Sequence, residues 1–387
     1  MREKESWSRY CNFPEEAFPG NEVELLKDGE EAWPALLAAI EGARGSVLLE
    51  TYAFADDSVG RSVAALLRRK AGEGVQVRVV YDSVGSISTD RKFFLSLAAA
   101  GVGVAEFRPV IYWKPYWNWI KRDHRKTVCV DGNCAFVGGF NITEKDAPAS
   151  LGGRGWKDTA ARVTGPAAAA LEGLFWESWA ASTPVDGRVL PPLPGPPAPA
   201  AGPAGGKRAL VVSAGGFRSV RSIRRSYVYA MERALEYIYI TNAYFLPDKL
   251  VIRRLIEAAR RGVDVRVIGP HATDHPYVRW ASWSMFGRLI RNGVRVYEWQ
   301  GSILHSKTAV IDGVWSSVGS HNLDHRSLHY NLEVNVNVFD RSFGSAMARA
   351  FREDLKSSRQ VTLADVRGRP LTAKAVSRLL YMFRSWA

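Results

Sequence analysis

The sequence predicts an α/β protein made of two fused α/β units related by internal duplication. Each unit is expected to be a mostly buried mixed sheet flanked by helices, with one site at a pseudo-two-fold interface. Three observations predict this. Strand-like apolar runs alternate with amphipathic helical runs. The same series of runs occurs twice, in the same order. Between the copies lies a Pro/Ala/Gly-rich stretch, residues 184–206, whose eight prolines and scarce charge suit an extended linker and not a core.

In the first copy, "SVLLETYAF" (46–54) reads as a strand, and "GRSVAALLRRKAGEG" (60–74) as a helix stopped by glycine. "VQVRVVYD" (75–82) is a strand again, and "AAGVGVAEF" (99–107) closes another helix and opens another strand. "HRKTVCVDG" (124–132) and "CAFVGGFN" (134–141) read as two strands joined at an Asp-Gly turn. The second copy answers with "YIYITNAYF" (237–245), "LVIRRLIEAARRG" (250–262), "VDVRVIG" (263–269) and "IRNGVRVYEW" (290–299). It ends on "HSKTAVIDG" (305–313) and "WSSVGSHN" (315–322). Short apolar strands separated by helices imply buried sheets with helices on both faces. The expected divisions are 1–183, the linker 184–206, 207–365, and an amphipathic C-terminal helix over 366–387.

At 387 residues the chain has room for two ordinary domains. Its net charge of +13 calls for an acidic partner: nucleic acid, anionic lipid or a phosphate-bearing substrate. Thirteen tryptophans suit a membrane–water interface as well as a core. Cys11, Cys129 and Cys134 are an odd set, expected to be reduced thiols. The first residues lack the apolar core of a signal peptide, and no apolar run reaches the length of a membrane span. The expectation is a cytoplasmic protein, or one attached peripherally to a membrane.

The chemistry-bearing residues recur with identical spacing. His124, Lys126 and Asp131 follow H-x-K-x4-D, and so do His305, Lys307 and Asp312. Eight residues past each Asp stands a small residue, Gly139 or Ser320, and ten past stands Asn141 or Asn322. Residues two apart on a strand share a face, so each His projects with its Lys. The hairpin returns the small residue and the Asn beside them. His124 is the only histidine in the first 270 residues. A zinc site is disfavoured, since two lysines facing one pocket repel a cation. Two His, two Lys and two Asn make an anion site instead. One imidazole would serve as nucleophile and the other as general acid. Small residues allow close approach of a ligand, and Ser320 would add a hydroxyl that Gly139 cannot.

These motifs resemble the phospholipase D superfamily, and within it the bacterial cardiolipin synthases. "LLETYAFADDSVG" (48–60) and "VGSHNLDHRSLHYNLEVNVNVFD" (318–340) are similar to that family beyond the motifs. The resemblance covers the chain from about Gly20 to about Arg341. It implies two fused α/β units sharing one active site, no metal and no other cofactor. It implies a phosphatidyl-histidine intermediate, with His124 the expected nucleophile and His305 the acid/base. Lys126, Lys307, Asn141 and Asn322 would bind the non-bridging oxygens. A carboxylate would fix each imidazole tautomer, and Asp158 and Glu333 match the family pattern. Asp131 and Asp312 belong to the motif, with a turn-stabilising role expected.

The implied reaction is phosphatidyl transfer between two phosphatidylglycerols, with anionic phospholipid and the membrane surface as partners, no nucleic acid, and an open oligomeric state. Hydrolytic phospholipase D activity, nuclease activity and non-enzymatic binding to anionic membranes are the alternatives. Two stretches favour lipid. "LTAKAVSRLLYMFRSWA" (371–387) sets Val376, Leu379, Leu380, Phe383 and Trp386 on one helical face. Before His124 the first copy is eleven residues longer than the second, and the surplus is aromatic and basic. Trp113, Tyr116, Trp117 and Trp119 would form a lip entering the lipid interface, with Lys114, Lys121 and Arg122 meeting anionic head groups.

Overall fold

The computed structural model describes residues 7–110, 117–188, 205–215 and 222–383. The first unit comprises β1 (Phe18–Leu26), α1 (Gly29–Glu41), β2 (Ser46–Thr51), α2 (Ser58–Gly72), β3 (Gln76–Asp82), α3 (Arg91–Ala99) and β4 (Gly103–Phe107). It continues through β5 (Thr127–Val130), β6 (Cys134–Gly138), β7 (Ala160–Thr164), α4 (Pro166–Ala180) and β8 (Ser182–Pro184). The second unit begins with β9 (Lys207–Ala214), α5 (Ser222–Arg233), β10 (Tyr237–Asn242), α6 (Lys249–Arg260), β11 (Asp264–Pro270), α7 (Pro276–Arg291) and β12 (Arg295–Trp299). It ends with β13 (Lys307–Ile311), β14 (Trp315–Gly319), β15 (Glu333–Phe339), α8 (Arg341–Lys356), β16 (Ser358–Val361) and α9 (Leu371–Met382). Aspartate side chains cap α1 (Asp28), α2 (Asp57), α6 (Asp248) and α8 (Asp340), taking up orphan N–H groups at their first turns.

Each unit is a mixed sheet, as the alternation predicts. Strands β2, β3 and β4 run parallel, and β5, β6 and β7 add on antiparallel. The second unit repeats the order with β10, β11, β12 and β13, β14, β15. The two sheets are not separate. Antiparallel pairing of β1 with β9 (Phe18 opposite Ala209) joins them into one sixteen-stranded order that is symmetric about that seam.

Each unit has its own core, and a third cluster lies between them. It combines Val80, Cys129 and Val137 of the first unit with Val310, Val318 and Val336 of the second, closed by Phe175 on α4 and by Phe343 and Phe351 on α8.

Three expectations about the chain's divisions need correction. Pro184 is paired opposite Ala105, and Val185 is buried, so the first linker residues belong to the first sheet. The segment before β1 crosses to the second unit, where Tyr10, Cys11 and Ala17 enter the core. The C-terminal helix packs on the body through Leu380 and Tyr381, while Val376, Leu379 and Phe383 face solvent. The predicted single apolar face is therefore split, and Trp386 lies outside the described residues. The three cysteines are buried free thiols, as expected.

Candidate active site

His124 and His305 sit just before β5 and β13, and each is held by the other unit. The His124 N–H donates to the Leu332 carbonyl (2.9 Å), and the Leu332 N–H donates to the Arg122 carbonyl (2.8 Å). The His305 N–H donates to the Lys157 carbonyl (2.7 Å), and the Lys157 N–H donates to the Ile303 carbonyl (2.8 Å). These short bridges place Glu333 against His124 and Asp158 against His305. His124 Nδ1 lies 3.0 and 3.1 Å from the Glu333 oxygens. His305 Nδ1 lies 2.8 Å from Asp158 Oδ2. With Nδ1 engaged on each ring, Nε2 is the nitrogen left for chemistry. Both rings line one cavity of about 380 Å³, together with Tyr52, Trp156, Asn141 and Asn322.

The supporting groups differ between the two histidines. Glu333 accepts from Ser327 Oγ (2.7 Å), Asn331 Nδ2 (3.4 Å) and Ser320 Oγ. Asp158 accepts from the Thr159 N–H (2.7 Å), and a second carboxylate, Asp146, stands 3.8 Å from His305 Nδ1. Asp146 accepts from Thr143 Oγ1 (2.7 Å) and from the backbone and side chain of Asn141 (3.1 and 3.2 Å). Asp146, Asp158 and His305 lie within 4.8 Å of one another, the one cluster of metal-ligand geometry among the described residues. Its carboxylates already accept these hydrogen bonds, and Lys307 lies close enough to interact with both, so the cluster is satisfied as a carboxylate–histidine network.

Burial lowers the His124 pKa to about 4 despite the attraction of Glu333, so its imidazole is neutral near pH 7. Burial also opposes ionisation of Glu333, but the His124 interaction, aided by His321 and Lys126, outweighs it and holds the carboxyl at about 2. Lys126 is lowered by burial to about 8, and Lys307 is lowered for the same reason.

Several predicted site residues stand elsewhere than expected. Lys126 and Lys307 do not line the cavity. Each folds back so that Nζ donates to the carbonyl of its own histidine, at 2.9 Å for Lys126. Asp131 and Asp312, by contrast, take the turn-stabilising role expected of them: they close the far ends of their hairpins, a strand of about 16 Å away from the lysines. Their backbones are left-handed (φ 51° and 52°). Asp131 accepts from the N–H groups of Arg44, Gly45 and Ser46, and Asp312 from those of Leu235, Glu236 and Tyr237 and from the Tyr10 hydroxyl. They anchor turns and do not touch the site.

Gly139 and Ser320 are corrected likewise, since neither lines the cavity. A Cβ at Gly139 would lie 2.2 Å from Asp158 Oδ2, so glycine there makes room for the carboxylate. Ser320 serves Glu333. Trp113 and the side chain of Trp117 lie outside the described residues, and Trp119 is half-buried away from the cavity lining. Asn322 makes no side-chain hydrogen bond among the described residues; its Oδ1 is buried without a partner, and the residue lines the cavity.

Sequence reasoning missed Asp146, Ser327, Tyr52 and Trp156. The first two were within reach, because both stand five residues past their Asn. Extending the internal alignment past Asn141 and Asn322 would have shown the carboxylate–serine exchange. Tyr52 and Trp156 pack edge-on against His124 and His305, at 5.1 and 5.6 Å between ring centres, and no spacing rule announces them.

A duplicated α/β fold that closes two His-Asn pairs around one cavity, each His backed by its motif Lys, defines an enzyme of the phospholipase D superfamily. Comparison narrows the class. The model of the cardiolipin synthase, phospholipase D-like domain family matches residues 36–172 and 227–355. Cardiolipin synthase A of Pseudomonas entomophila is 36% identical over 347 residues, 90% of this chain and 71% of that protein. The cardiolipin synthase of Listeria monocytogenes is 34% identical over 368 residues, 93% of this chain and 75% of that one. The crystal structure of phosphatidylserine synthase from Haemophilus influenzae superposes with a TM-score of 0.75, covering 98% of this chain and 97% of that chain at 12% identity, a likeness of fold. The chain belongs to the cardiolipin synthase family of phospholipase D-like phosphatidyltransferases.

Proposed function

We propose that the protein makes cardiolipin from two phosphatidylglycerols. The observation that carries this reading is the crossed pairing of His124 with Glu333 and His305 with Asp158, which leaves two Nε2 atoms for one cavity. His124 Nε2 attacks the phosphorus of the first lipid. The phosphorus–oxygen bond to glycerol breaks, and His305 gives that oxygen a proton. A phosphatidyl-histidine remains, with the charge on its His124 ring balanced by Glu333. His305, now neutral, takes the proton of a free hydroxyl on the second lipid's glycerol. That oxygen attacks phosphorus, the phosphorus–nitrogen bond breaks, and cardiolipin forms. Both histidines return to their starting states.

The low His124 pKa suits the nucleophile, which must be unprotonated. Asp158 and Asp146 beside Nδ1 orient His305 for proton transfer at Nε2. Asn141 and Asn322 meet the non-bridging oxygens directly. Lys126 and Lys307 supply charge from beneath the histidines, Asp158 and Glu333 orient the rings, and Asp131 and Asp312 set the hairpins.

We place the protein peripherally on the cytoplasmic side of the cell membrane. No helix among the described residues is long and apolar enough to cross a bilayer. The outer face of α9 is apolar, with Leu371, Val376, Leu379, Met382 and Phe383 exposed, and Trp280 of α7 lies exposed nearby. The insert carrying Trp113, Trp117 and Trp119 precedes His124 and is proposed as the lip of the site.

The experiment is incubation with vesicles of labelled phosphatidylglycerol and separation of the products. Cardiolipin and free glycerol are expected. Phosphatidic acid without cardiolipin would replace this reading with hydrolysis. His124→Ala should abolish turnover and leave no acid-labile phosphatidyl-enzyme, whereas His305→Ala should slow both its formation and its resolution.

A further inference from the structure

Besides Arg122, which is held by Asp82 and the Arg108 carbonyl, the cavity carries two cations that the chemistry above does not use. Lys145 and Arg326 each stand four residues past their Asn, so the duplication places them in equivalent positions. Both line the cavity. Neither side chain makes a hydrogen bond or an ion pair among the described residues. Each stands near an aromatic ring that touches a histidine of the other unit. Lys145 Nζ is 5.8 Å from the Trp156 ring, which packs on His305. Arg326 lies close enough to Tyr52 to influence its hydroxyl, and Tyr52 packs on His124. Asp324 is near Arg326 but accepts from the Ser327 N–H at 2.7 Å, and burial pushes its carboxyl up to about 7, which weakens its claim on the guanidinium.

Transfer between two phosphatidylglycerols brings two phosphodiesters into one cavity. One reacts at the histidines. The other lies a glycerol's length away, is never cleaved, and still brings a negative charge. Leaving that anion without a partner in a partly desolvated site would be costly. We infer that Lys145 and Arg326 are outer phosphodiester sites, one beside each histidine, which hold the phosphate of the lipid not undergoing cleavage. The inference rests on the proposed transfer reaction. It explains how the site would favour a phosphate-bearing acceptor over a plain alcohol or water. Arginine and lysine suit the task because each brings a positive charge and several donors to a phosphate.

The test compares two acceptors on one enzyme: phosphatidylglycerol, read as cardiolipin, and labelled free glycerol, read as labelled phosphatidylglycerol. In the Lys145→Gln/Arg326→Gln double variant the ratio of cardiolipin to exchange product should fall at least tenfold. Each single variant should fall part of the way, and Arg326→Lys should restore much of the loss. The single variants carry the test if the double variant does not fold. A ratio within twofold of the wild type in the double variant, or in both singles, overturns the inference. A wild-type enzyme that performs glycerol exchange and makes no cardiolipin instead overturns the transfer reaction, so the two failures read differently.

Discussion

Gly139 and Ser320 occupy the same place in the two units and serve opposite ends. The first withdraws so that Asp158 can reach His305, and the second advances a hydroxyl to Glu333. Gly139→Ala should therefore push Asp158 off His305, and kcat should drop at least tenfold, while Ser320→Ala should cost less because Ser327 and Asn331 still hold Glu333. An unchanged kcat in Gly139→Ala would show that the Asp158–His305 contact is dispensable.

The same pocket sets the pH range. His124 must be neutral to attack, so activity should fall as pH drops through about 4, its folded-state pKa. Lys126 must be charged, so activity should fall as pH rises through about 8. Lys126→Arg keeps its charge at any working pH and should extend the alkaline limit. An alkaline limb unmoved in that variant would assign it to another group.

Among the elements, the β5–β6 and β13–β14 hairpins do the positioning. Asp-Gly turns hold their far ends through backbone N–H groups, and the strand starts are pinned by single bridges to the opposite unit. Helix α9 works differently, because half of its apolar surface packs and half faces outward. Replacing Leu379, Met382 and Phe383 with Ser should weaken binding to anionic vesicles by tenfold or more and leave turnover on detergent-dispersed lipid little changed. Equal binding would mean that this face does not meet the bilayer. Changing Trp113, Trp117 and Trp119 to Ser tests the insert in the same assay, and unchanged vesicle binding and activity would remove it from the interface.

For the whole molecule, one sheet and a shared core make the units interdependent. The segment before β1 reinforces this, since Tyr10 crosses to donate to Asp312 at 2.7 Å in a buried position. Tyr10→Phe should destabilise the protein by about 2 kcal/mol, as expected for a hydrogen bond to a charged acceptor. Unfolding should remain a single transition. Two resolved transitions would show that the units fold independently.

How much of this was legible depends on the kind of signal. Periodicity and the repeat were enough to read out the strand–helix order, the mixed sheets and the two His-Lys-Asn sets, because local spacing and turn chemistry determine which side chains share a strand face. Glu333 and Asp158 were legible as carboxylates through family resemblance. Which histidine each serves was not, because that depends on how two units dock. The lysines were misplaced for a related reason. Strand spacing sets the face a side chain leaves from, but it does not specify that each lysine Nζ reaches back to the carbonyl of its own histidine.

The sequence by itself determined the duplicated units, the chemistry at their repeated positions and the family. Only the tertiary structure decided the seam between β1 and β9, the crossing of carboxylates between units and the difference between the two histidines. Those contacts join residues 147 and 209 positions apart, and they form only when both units are folded and packed across a common core.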